Sequence, residues 1–310
     1  MKNLRYIALG LLMAFGVSFA ACGDDEQDVI DYTKKPDEEK KEEPNTDEEK
    51  MSVFICFGQS NMEGNAPVED QDRADVPDNF KNMIVANCDV EAYGSKRYTW
   101  RKADPPLARK NTGLTPADYF GRKLAAKFPN REIGIVMVAI GGAPIEAFIK
   151  ETCADYCAQS GHEAWYKSYL NEYDNNPYKV LLAAAKAAQK SGVIRGILLH
   201  QGESNNCQQD WPEKVKGVYD NLIADLGLDP TQCPLLVGET LRAEYDGICW
   251  GHNDVIANVP NVIPNSYVIL SEGCEGKPKD GKKSDGFHFC AEGYRIIGGR
   301  YADKMISLMK

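Results

Sequence analysis

A serine hydroxyl becomes a nucleophile only when a base takes its proton. Ser60 stands in Phe57-Gly58-Gln59-Ser60-Asn61-Met62, just after an apolar run, and the chain offers four histidines as bases: His162, His200, His252 and His288. His288 closes the segment Ser284-Asp285-Gly286-Phe287-His288. A turn through Gly286 would carry the Asp285 carboxylate to the imidazole, fixing its tautomer and stabilising the imidazolium. Ser60, Asp285 and His288 therefore read as nucleophile, orienting acid and general base for acyl transfer. Each piece alone also suits a plainer role, since a serine after a glycine often serves as a turn or cap and Asp-x-x-His is a common structural turn. The chain has no Gly-x-Ser-x-Gly elbow, which argues against an ordinary α/β-hydrolase.

Such residues need elements to hold them in place. Residues 52–57, 133–140, 193–200, 235–238 and 267–270 read as strands, with a further apolar run at 83–86. Helices fall between them. Thr115 as cap and Pro116 in the first turn open one that runs through Phe128. Residues 177–190, 211–226 and 291–309 read as three more. Apolar strands alternating with helices predict βαβ units and a mainly parallel sheet covered on both faces, an α/β/α sandwich of three layers. Ligands in such sheets bind beyond the carboxyl ends of the strands. The segments 58–62, 141–143 and 200–205 all fall at those ends.

Four segments resemble, in the right order, the motifs of the sialate O-acetylesterase and acetylxylan esterase group, close to carbohydrate esterase family six in the SGNH hydrolase superfamily. They are the Ser60 segment, Gly141-Gly142-Ala143-Pro144-Ile145, His200-Gln201-Gly202-Glu203-Ser204-Asn205 and Asp285-Gly286-Phe287-His288. The resemblance spans residues 51–310 and implies the flavodoxin-like sandwich of SGNH enzymes. It implies a carbohydrate O-acetylesterase that needs no metal or organic cofactor. Acetylated xylan, another plant polysaccharide and O-acetylated sialic acid are the expected substrates. It implies Ser60 as nucleophile, His288 as base and then acid, and Asp285 as its partner. The implied oxyanion hole uses the backbone N–H groups of Ser60 and Gly142 and the side-chain amide of Gln201. Gln59 and Asn61 are expected to shape the nucleophile turn, and Glu203 to hydrogen-bond around the site or hold its loop. His200, at a strand end, is expected to pack. The 150–176 segment carries Trp165, Tyr166 and Tyr169, suited either to stacking on a sugar or to core packing. A glycan-binding protein of the same fold without activity is the alternative.

The 310 residues carry a formal net charge of −10, much of it before residue 50. No basic stripe appears, so nucleic acid is not an expected partner. Lys2 and Arg5 precede an apolar run over residues 7–19, and Ala20-Ala21-Cys22-Gly23 follows. This resembles a signal peptide ending in a bacterial lipoprotein box. Residues 1–21 are then the signal peptide, Cys22 the acylated residue, 22–50 an acidic tether too poor in apolar groups to fold, and 51–310 the esterase domain. The expected location is the outer membrane or cell surface, with the periplasm as alternative, and the lipid makes the membrane a partner. Ten cysteines are present. With Cys22 acylated and Cys56 buried as a free thiol, eight remain for bridges, and Cys207 and Cys290 are placed to brace two of the motifs. Cys153, Cys157 and His162 have no second Cys pair of zinc-finger spacing beside them, so no metal site is expected.

Overall fold

The structure, a computed structural model, describes residues 50–309; the expected signal peptide, Cys22 and the tether through residue 49 lie outside the described residues. Seven strands form one sheet: β1 (Met51–Gly58), β2 (Phe80–Met83), β3 (Trp100–Lys102), β4 (Ile133–Ala139), β5 (Gly192–His200), β6 (Leu235–Gly238) and β7 (Ser266–Ile269). Their order across the sheet is β3-β2-β4-β1-β5-β6-β7. Every neighbouring pair is parallel except β2 and β3. All eight residues of β1 are buried, as a strand covered on both faces requires.

Side chains on a strand alternate between faces, and β1 divides two cores that way. Val53, Ile55 and Phe57 pack with Leu181 and Ala184 of helix Pro177–Ala188 and with Val218 and Leu222 of helix Trp211–Leu226. Phe54 and Cys56 pack with Phe120 and Leu124 of helix Pro116–Lys127 and with Tyr294 and Tyr301 of helix Ala291–Leu308. These are the three expected layers. Thr115 caps its helix as expected: its hydroxyl oxygen accepts from the Ala117 N–H, and Asp118 returns the favour to the Thr115 N–H at 2.9 Å. The hydroxyl also donates to the Met62 carbonyl at 2.7 Å, which ties this helix to the turn that carries Ser60.

Two elements differ from the sequence reading. The edge strand β3 is read from none of the apolar runs, because Trp100-Arg101-Lys102 lies at the sheet margin and is only partly buried. The apolar run at 83–86 marks the end of β2 and the chain beyond it rather than a whole strand.

Register brings the motifs together. Gly58 pairs with Ala139 on one side of β1 and with His200 on the other, so the three central strands end level. Gly58 has φ +148°, and a Cβ there would lie 2.1 Å from the His200 carbonyl oxygen. Only glycine lets β1 leave the sheet so close to β5. The loops after the three strands hold Ser60, Gly142 and Gln201.

Candidate active site

Ser60 opens a single helical turn, Ser60–Glu63. The Gln59 carbonyl closes it by accepting the N–H groups of Met62 and Glu63, each at 2.8 Å, while the Gln59 N–H donates to the His200 carbonyl at 3.1 Å. The hydroxyl of Ser60 lies 2.9 Å from His288 Nε2, and His288 Nδ1 lies 2.7 Å from Asp285 Oδ2. Asp285 Oδ1 accepts the backbone N–H groups of Phe287 and His288, both at 2.9 Å. Burial pushes the Asp285 carboxyl up, but the His288 ring N–H and these two backbone donors outweigh it and hold the group below the usual carboxylate range. A carboxylate so held orients the ring with Nδ1–H toward Asp285, which leaves Nε2 to accept from Ser60.

Asn61 ties the two ends of the chain together. Its Nδ2 donates to the Phe287 carbonyl at 2.9 Å and to Glu203 Oε1 at 2.5 Å, and its Oδ1 accepts from the Tyr294 hydroxyl at 2.7 Å. Glu203 is buried, and burial pushes its carboxyl up to about 7. Asn61 and Glu203 thus position the loop before His288. His200 is fully buried against Phe289 and Tyr301, and burial lowers its imidazole to about 3, which suits packing.

Gly142 has φ +76° and lines the cleft beside Ser60. Neither the Ser60 nor the Gly142 N–H has an acceptor among the described residues. Gln201 is placed differently from the expectation. It is fully buried behind the cleft, and its Nε2 donates to Gln59 Oε1 at 3.0 Å and Asn205 Oδ1 at 2.7 Å, with the Ala143 carbonyl at 3.4 Å. Two hydrogens committed to those acceptors leave none for an oxyanion. The structure therefore corrects the expected role of Gln201: it joins the three motif loops rather than facing the substrate.

The cleft in front of Ser60 has a volume of about 350 Å³. Trp165 and Tyr169, on helix Ala164–Asn171, form one wall, and Phe287 forms part of another. Trp165 is 49% and Phe287 38% exposed, whereas Tyr166 is buried in the core. A pair that the sequence reading missed lies beneath: Arg109 donates to Glu63 Oε1 from Nε and from the guanidinium end, each at 2.9 Å, and its guanidinium lies 3.8 Å from the Tyr169 ring centre. Burial pushes the Glu63 carboxyl up, and Arg109 opposes that. Glu63 follows Ser60 by three positions, a signal of sorts; Arg109 lies 46 residues further on and carries none.

The described cysteines correct another expectation. All nine are free thiols in this structure, so the bridges at Cys207 and Cys290 are not formed. Cys290 instead caps the last helix through a sulfur contact with the Gly293 N–H, and the Cys207 N–H donates to His252 Nδ1 at 3.1 Å. Cys56 is buried, and burial pushes its thiol well up. His162 points its Nε2 at the Tyr156 carbonyl, 2.7 Å away, and meets the rings of Tyr156 and Tyr166 in tilted and edge-to-face contacts.

A parallel α/β/α sheet with a serine, a histidine and a carboxylate in one hydrogen-bonded line at its carboxyl end has the architecture of the SGNH-like hydrolases. The chain belongs to the family described as carbohydrate esterase, sialic acid-specific acetylesterase, whose model matches residues 50–307. Solved structures agree on the fold. A protein from Arabidopsis thaliana is 19% identical, with a TM-score of 0.58 over 83% of this chain and 98% of its own. NanS is 17% identical, with a TM-score of 0.59 over 84% and 97%. A carbohydrate acetylesterase from Xanthomonas citri is 20% identical, with a TM-score of 0.50 over 81% of this chain and 55% of its own.

Proposed function

We propose that this protein is a serine carbohydrate O-acetylesterase that releases acetate from acetylated xylan, another plant polysaccharide or an O-acetylated sialic acid. The observation that carries this reading is the unbroken line from Ser60 Oγ through His288 to Asp285. Ser60 attacks the ester carbonyl while His288 Nε2 takes its proton. The oxygen that gains the charge meets the N–H groups of Ser60 and Gly142. His288 then hands the proton to the departing sugar oxygen, and water, deprotonated by the same ring, releases acetate from Ser60. Asp285 keeps the ring in the productive tautomer throughout. Membership of a carbohydrate esterase family supports the reaction class, and the exposed Trp165 and Phe287 beside Ser60 supply apolar faces for a sugar ring. An intact line of three groups speaks against a binding protein that has lost activity. In this reading the enzyme is exported and held at a membrane by an acyl chain on Cys22.

The test is acetate release from a panel of acetylated xylan, acetylated mannan and 9-O-acetyl sialic acid, together with p-nitrophenyl acetate, by wild type and Ser60→Ala. Wild type should turn over p-nitrophenyl acetate and at least one glycan, and Ser60→Ala should lose about 10³-fold or more. Equal rates for the two proteins would overturn the reading.

A further inference from the structure

The cleft in front of Ser60 receives its walls from the two faces of the sheet. Ser60 sits just beyond β1, the strand that divides the two cores. His288 comes from one face: Phe289 and Tyr294, which follow it, pack in the core with Phe54 and Cys56. Trp165 comes from the other: Tyr166 and Leu170 of its helix pack in the core with Val53, Ile55 and Phe57. Both His288 and Trp165 line the cleft. The indole is set hard against the backbone of Gly142, since a Cβ built there would lie 3.0 Å from Trp165 Cη2 and 3.6 Å from Cζ3. It is half exposed yet braced by its neighbours. Tyr166 and Tyr169 each meet it edge to face with ring centres 5.5 Å away, and its N–H donates to Glu163 Oε2 at 3.2 Å. Tyr169 is itself backed by the Arg109 guanidinium, 3.8 Å from its ring centre.

Chemistry decides what each wall meets. When Ser60 Oγ bonds to the acyl carbon, its proton passes to His288 Nε2 and the carbonyl π pair moves onto the carbonyl oxygen, which faces the N–H groups of Ser60 and Gly142. When the tetrahedral species collapses, the pair returns and the bond to the alcohol oxygen breaks. That oxygen leaves with the proton from His288, so it must face the imidazole. The one substituent left on the carbon, the acyl chain, points away from His288 and toward the opposite wall. We infer that Trp165 is the acyl wall of the site and limits the acyl group to the length of acetyl. The inference rests on the esterase reading of Ser60 and deepens it by giving each half of the ester a side. The acyl group lies against the indole edge beside Gly142, and the alcohol lies toward His288 and Phe287. The exposed part of the indole is left for the sugar. A longer chain runs into an edge that touches the Gly142 backbone on one side and is braced by Tyr166 and Tyr169 on the other. One methylene more than an apolar pocket holds costs about 10-fold to 200-fold in kcat/KM.

The experiment holds the leaving group fixed and varies the acyl chain, with p-nitrophenyl acetate, propionate and butyrate. In the wild type kcat/KM should fall about tenfold or more with each added methylene. Trp165→Ala removes the wall, and the butyrate-to-acetate ratio of kcat/KM should rise about tenfold or more. Trp165→Leu, which shortens the wall without emptying it, carries the same test with a smaller rise should the alanine variant not fold. Phe287→Ala, on the alcohol side, should leave the ratio at its wild-type value. A wild type that takes butyrate as readily as acetate overturns the inference. So does a ratio that Trp165→Ala does not move, or one that Phe287→Ala raises as much. A purely structural indole would slow all three esters alike and leave the ratio where it was. Turnover that does not depend on Ser60 overturns the esterase reading and this inference with it, whereas Ser60-dependent turnover with an unmoved ratio overturns this inference alone.

Discussion

Two carboxylates flank the Ser60–His288 pair, and their surroundings drive them in opposite directions. Burial raises both. Asp285 accepts three N–H groups, from the ring and from two backbone amides, and ends below the ordinary range. Glu203 accepts one side-chain N–H from Asn61, its second oxygen has no hydrogen-bond partner, and it ends at about 7. Asp285 has more donors and lies less deep than Glu203, and the two differences act together to set the sign. Asp285 thereby stays charged where the imidazole needs an anion, while Glu203 spends much of its time neutral near pH 7 and serves as a strut. Through Asn61 it holds the Phe287 carbonyl, one residue before His288.

The contrast breaks most visibly at Asp285. Asp285→Asn should cut kcat on p-nitrophenyl acetate by about 10³–10⁴-fold, the scale of losing the orienting carboxylate of such a line. A loss below tenfold would place Asp285 with the structural carboxylates. The next effect is on stability. The folded value of about 7 for Glu203 lies above the ordinary glutamate value, so the folded state binds the proton more tightly. Stability tied to Glu203 is then fully present below about pH 4.3 and is lost as pH climbs through 7, by about 3 kcal/mol. Asp285 has the opposite sign, its contribution being present above the ordinary aspartate range and lost as pH falls through its depressed value. Glu203→Gln should therefore melt increasingly above wild type between pH 5 and pH 8, and a constant gap in melting temperature would show that Glu203 does not titrate in that window. Smaller again is Gln201→Leu, which leaves the Trp211 N–H unpaired in the core and should cost about 2 kcal/mol in urea unfolding. Smallest is Trp165→Ala. It should raise KM about fivefold on a glycan, close to 1 kcal/mol, and leave p-nitrophenyl acetate unaffected. Equal effects on both substrates would assign the indole to the chemistry instead of the sugar.

Much of this was legible before any coordinates. The strands announce themselves because a doubly covered parallel strand must be apolar throughout, and β1, β4 and β5 are. That Ser60, Asp285 and His288 would lie together was legible because a candidate nucleophile needs a base and the base a partner. What stayed hidden depends on orientation and on distance along the chain. A sequence names Gln201 as an amide but not which way it faces; that is decided by Trp211, ten positions later, and by Asn205. The Glu63–Arg109 pair joins segments with no shared periodicity. The cysteines suggested bridges by number, by an exported setting and by position beside two motifs, and none of these says how sulfur atoms meet.

The tight approach of Gly58 to the His200 carbonyl has a consequence for how this molecule can change over evolutionary time. The Ser60 hydroxyl takes its position from a strand buried along its whole length, whose last residue, Gly58, has no room for a larger side chain. The aromatic wall takes its position from a short helix, Ala164–Asn171, hung on the outside. Different elements therefore set the hydroxyl and the aromatic wall, and the contact of Tyr169 with Arg109 and of Arg109 with Glu63 joins them. In the esterase reading, exposed positions of that helix such as Trp165 can vary to suit another glycan, whereas Tyr169 is tied to the Ser60 turn through Arg109 and Glu63. In that reading a change at Gly58 would impair turnover of every substrate at once.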